Sequence, residues 1–97
     1  MPVPPNIKGA IKRYVEDRLP PGHFTTAVLE NNLTEAIGRA DRESLANIVD
    51  IVGYVYTSIP SIAWGSPQRV KDWLSGETQE RYGYKVVARM EDEKDAL

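Results

Sequence analysis

At 97 residues the chain has length for one domain with a modest core. Its 41% hydrophobic and 27% charged residues are ordinary for a soluble globular chain, and no run approaches the roughly 18 consecutive apolar residues that a membrane-spanning helix needs. A net charge of −2 leaves no basic surplus for nonspecific nucleic-acid binding, and the absence of cysteine excludes disulfides and thiolate chemistry and suits a reducing compartment.

The N-terminus, MPVPPNIKG, has neither a basic start nor an apolar stretch, so no secretory signal is expected. From Asn6 the pattern turns helical, with Ile7, Ala10, Ile11, Tyr14, Val15 and Arg18 on one side and Lys8, Lys12, Arg13, Glu16 and Asp17 on the other. Leu19-Pro20-Pro21-Gly22 breaks this helix. His23 to Asn31 reads as a second helix with Phe24, Ala27 and Val28 inward. Leu33 to Ala40 reads as a third with Leu33, Ala36 and Ile37 inward. Asn31-Asn32 is a plausible junction because asparagine tolerates left-handed backbone and also caps helices. One kinked helix over 24–40 is the alternative.

The longest helical pattern runs from Asp41 to Pro60. Leu45, Ile48, Val49, Val52, Val55 or Tyr56, and Ile59 recur at spacings of three and four, which predicts one inward stripe. Asp41 is placed to cap its start and Pro60 to end it. Ser66-Pro67 then opens a last helix with Val70, Trp73 and Leu74 apolar and Gly76 as its stop. The expected fold is therefore all-α: four to five helices around a long central helix (about 42–59). A helical domain would occupy 1–76. Residues 77–97, with six acids against four bases, carry the whole acidic excess and are expected to form a charged, partly disordered tail.

No catalytic motif is present, and no enzymatic activity, cofactor or metal is expected. His23 is the one histidine and lacks HxxxH or HxxE spacing, so capping or surface exposure outweighs chemistry for it. Polar groups gathered at helix ends nevertheless form a candidate ligand set: Arg13, Tyr14, His23, Thr25, Asn31, Arg39, Trp64 and Ser66. Helix N-termini favour anions, guanidinium holds phosphate in two places, and an exposed tryptophan stacks on a base. Each has a plainer alternative: PPGHFT as a linker, Arg39 and Asp41 as corner caps, Trp64 as core. Tyr54 beside Gly53, where a second backbone could approach, hints at a subunit contact.

The segments RYV, PPGHF, AVLENNL, GRAD, YVY, IPS, WGSP and WL, spread over about residues 5–75, together resemble a set of small proteins encoded by bacteriophages and prophages. The resemblance implies an accessory protein acting in the host bacterial cytoplasm. Such proteins often counter host defence. Some occlude a defence protein, as anti-CRISPR proteins do; others sequester a nucleotide immune signal, as oligomeric sponge proteins do. The expectation drawn from the polar helix ends is a non-enzymatic protein that sequesters a small anionic, nucleotide-like signal, with homo-oligomerisation adding stability. Occlusion of a host defence protein is the alternative, and a virion or assembly component is a third. Balanced charge argues against DNA mimicry.

Overall fold

The computed structural model describes residues 3–78. Six α-helices and one 3-10 turn account for them, and no strand occurs among the described residues. The predicted tail, from residue 79 onward, lies outside the described residues; Thr78 is still buried.

The first helix, α1 (Pro5–Asp17), starts with proline at its first position, where a missing N–H costs nothing. It buries Ile7, Ile11, Tyr14 and Val15 along one face, as the spacing predicts. Arg18 closes it in left-handed backbone (φ 55°), its N–H donating to the Tyr14 carbonyl at 3.1 Å while Leu19 donates to Arg13 at 3.4 Å.

After the Pro-Pro-Gly turn come α2 (His23–Leu29) and α3 (Leu33–Arg39), packed on each other. The junction is the predicted asparagine pair. Asn31 takes left-handed backbone (φ 64°), and the Asn32 side chain accepts from the Glu35 N–H at 3.2 Å. Two helices therefore form over 24–40, and the single kinked helix does not. On α3 only Ala36 is buried. Leu33 and Ile37, expected inward, are exposed.

The long helix expected over 42–59 is divided into α4 (Arg42–Ala46) and α5 (Ile48–Ser58). Asp41 caps it as expected, accepting from Ser44 N–H at 2.7 Å, and that bond holds its carboxyl below the ordinary carboxylate pKa. The break comes from Asn47. In a continuous helix its N–H would donate to the Glu43 carbonyl; here its own side-chain amide takes that carbonyl at 2.9 Å, and the backbone N–H bonds Ser44 instead. Asn47 consequently leaves helical geometry (φ −116°, ψ 21°).

The buried stripe of this segment also differs from the expected one. Ile51, Val55 and Ile59 are buried, whereas Leu45, Val49, Val52 and Tyr56 are exposed. Apolar residues occupy most of the circumference here, so periodicity establishes a helix without fixing which side turns inward.

Ser61–Ala63 forms the 3-10 turn, and Ser66 opens α6 (Pro67–Ser75), its hydroxyl accepting from Arg69 N–H at 3.1 Å. Gly76 ends α6 in left-handed backbone (φ 85°), which glycine adopts without strain. Helix α6 returns to α1 through two wholly buried aromatics. Tyr14 hydroxyl donates to the Ala63 carbonyl at 2.7 Å, and Trp73 Nε1 donates to the Tyr14 carbonyl at 3.0 Å. The Arg18 guanidinium lies 4.6 Å over the Trp73 ring. Tyr14, on α1, is thus the node that joins the first helix to the last.

Candidate functional site

The eight sequence candidates divide into five surroundings. Tyr14 and Thr25 are buried, at 0% and 2% exposure, and so present nothing to a ligand. For Tyr14 the reason is the central packing just described; for Thr25 it is a position on the inner face of α2. Burial, with the charge of Glu30 adding and that of Arg18 opposing, pushes the Tyr14 phenol well above its ordinary pKa. Arg13 is exposed on the outer side of α1, turned away from the buried Tyr14 that follows it. Ser66 spends its hydroxyl on the α6 cap.

His23 and Arg39, 16 residues apart, do come together. Arg39 Nη1 donates to His23 Nδ1 at 3.3 Å; guanidinium has only donors, so Nδ1 is the accepting nitrogen and the proton sits on Nε2. Arg39 Nε donates to Glu35 at 2.6 Å, with both side chains about half exposed. Thr26, Ala27 and Glu30 complete this open depression between α2 and α3. Two carboxylates beside one guanidinium leave it without a net positive field, and α2, seven residues long, brings no side-chain cap to its start. Asp41, the other half of GRAD, serves α4 rather than Arg39.

Asn31 and Trp64 border a different feature. A groove of about 180 Å³ runs between α3 and α5. Val28, Leu33, Ala36, Val52, Val55 and Trp64 give it an apolar lining, to which Asn31 and Asn32 add amides. Trp64 stays half-buried because Gly65, in left-handed backbone (φ 112°), hands its N–H to the Leu29 carbonyl at 2.7 Å and ties the turn to the end of α2. The Tyr56 ring meets Trp64 edge-on, with centroids 6.2 Å apart. Ile37, Leu45, Val49 and Tyr56 are further exposed apolar side chains outside the groove lining.

Sequence reasoning missed this surface because it assigned Leu33, Ile37, Leu45, Val49 and Val52 to the core. The signal was present in excess: the segment 45–59 offers more apolar side chains than one buried stripe can use. Such a surplus is what an interaction surface looks like in sequence. Among the described residues no group of histidine or carboxylate side chains is arranged to hold a metal ion, and no helix is long and apolar enough to cross a membrane. No protein-family model matches the chain, and neither does any curated protein or solved structure.

Proposed function

We propose that this chain is a non-enzymatic protein that acts by direct contact with another protein, and that the α3–α5 groove receives apolar side chains of that partner. The observation that carries the reading is the groove itself with Leu33 at its rim, 64% exposed. An aromatic or aliphatic anchor entering a pocket of this size is the usual centre of a protein interface, and the flanking asparagines supply the few polar contacts that orient it. In the phage setting that the resemblance implies, the partner is a host defence protein, occluded rather than modified.

The test uses L33E, whose site is exposed and outside the core. Immobilised wild-type chain is expected to retain a protein from host lysate in a manner insensitive to added nucleotides. L33E is expected to weaken that retention by about 30-fold or more, as loss of an interface hot spot does, at an unchanged melting midpoint. Equal retention by both chains sinks the groove reading.

A second reading rests on the His23–Arg39 pairing, which brings two of the sequence candidates together between α2 and α3. There the chain would sequester a small anionic, nucleotide-like signal, Arg39 exchanging Glu35 for a phosphate. A raised melting midpoint with one nucleotide, lost in R39A, would support it; about 2.7 kcal/mol is expected at a hundredfold excess over Kd. A flat response across cyclic and linear nucleotides would end it. Glu30 and Glu35 beside Arg39 make this the less favoured of the two.

A further inference from the structure

We infer that Arg69, which is not among the groove's lining residues, is the positioning residue for its Trp64 wall and so sets how tightly the groove holds an anchor. Its bearing on binding rests on the groove reading above.

Trp64 sits in the turn between the 3-10 segment and α6, and three contacts fix that turn. The Ala63 carbonyl accepts the buried Tyr14 hydroxyl. The peptide joining Trp64 to Gly65 is then held at both ends: its N–H donates to the Leu29 carbonyl at 2.7 Å, and its carbonyl accepts from Arg69 Nη1 at 3.4 Å. The same nitrogen donates to the Ser61 carbonyl at 3.2 Å, so one guanidinium bridges the turn. Gly65 is part of the fit. It takes left-handed backbone (φ 112°), and a Cβ built on it would stand 3.3 Å from Arg69 Nη1.

The bridge contributes little to the core. Arg69 is exposed, and the Ser66 cap of α6 takes its backbone N–H rather than its side chain. Water would satisfy both carbonyls in place of the guanidinium, which keeps the net stabilisation small. The effect is on order. Without the bridge the Trp64–Gly65 peptide is held through the Leu29 bond alone, and the indole gains freedom against Tyr56, whose ring it meets edge-on. A wall ordered before binding spares the complex the loss of that freedom, worth about 3- to 10-fold in affinity.

The test places 5-fluorotryptophan in the full chain, whose two tryptophans give two fluorine resonances, assigned with W64F. Alanine at 69 keeps α6, because it is the best helix former. In R69A the Trp64 resonance is expected to shift and broaden, while that of the buried Trp73 stays in place and the melting midpoint moves by no more than a few degrees. R69K, which keeps a charge and donors, is expected to bring the Trp64 signal part of the way back. A Trp64 resonance unmoved in R69A overturns the inference. So does a shift of both resonances together, which would make Arg69 a general stabiliser. For binding, the readout is the protein that wild type retains and L33E does not. R69A is expected to weaken its retention by about 3- to 10-fold, and undiminished retention overturns the positioning role. If L33E retains as wild type does, the groove reading fails, and the fluorine signal still decides what Arg69 does to Trp64.

Discussion

Replacing Trp73 with alanine is expected to lower the melting midpoint by about 15 °C or more and to leave the chain partly unfolded near 37 °C. Removing a fully buried tryptophan costs about 3–5 kcal/mol through lost transfer energy and the cavity left behind. A domain of this size has about 5–15 kcal/mol in total, and each kcal/mol moves its midpoint by about 4–8 °C. Two further contacts go with the ring: the indole N–H to the Tyr14 carbonyl and the platform beneath Arg18. Arg18 matters here because its Nε and Nη2 are buried without a hydrogen-bond partner among the described residues, so the ring face supplies its compensation. W73F is the informative companion, since it keeps most of the volume and gives up the N–H. An intermediate loss for W73F, read by circular dichroism against temperature, would apportion the effect between packing and hydrogen bonding. A midpoint for W73A within a few degrees of wild type would mean that α6 does not anchor on α1 as described.

Y14F is expected to cost about 1–3 kcal/mol at neutral pH and, more tellingly, to change the response to alkali. The neutral-pH loss comes from the Ala63 carbonyl, which forfeits the buried hydroxyl at 2.7 Å. The alkaline effect follows from linkage. In the unfolded chain the phenol ionises near 10; in the folded protein burial holds it well above that. Below pH 10 both states keep the proton, and the stabilisation is fully present. As pH rises past 10 the unfolded state loses the proton first. Stability then falls by up to about 1.4 kcal/mol per pH unit until the folded group ionises too. Chemical denaturation from pH 7 to 11 should show this fall in wild type. Y14F, starting lower, should show a shallower decline, and parallel curves would place the alkaline loss elsewhere.

The two aromatics show how unevenly sequence speaks about such a chain. Trp73 was legible as a core residue from its place in a capped helix beside Val70. Tyr14 was legible only as one apolar position among several on α1, and its hydroxyl near the helix end also placed it in the ligand set. Nothing local says that its hydroxyl finds Ala63, 49 residues on, or that its carbonyl finds Trp73, 59 residues on. His23 and Arg39 were each identified, but their pairing, and the Glu35 contact that neutralises Arg39, needed the packing of α2 against α3.

What the sequence determined by itself is the helical class and most helix ends. These depend on nearest-neighbour chemistry: proline lacking an N–H at α1 and α6, hydroxyl and carboxylate caps at Ser66 and Asp41, left-handed backbone at Asn31 and Gly76. Tertiary structure alone decided which side of each helix turns inward. The segment after Asp41 carries apolar residues around most of its surface, so its burial depends on what the rest of the chain can cover. Two things settled it: the break that Asn47 makes by taking the Glu43 carbonyl, and the filling of the core by α1, α2 and α6. Ile51 and Val55 went inside; Leu45, Val49, Val52 and Tyr56 were left in water.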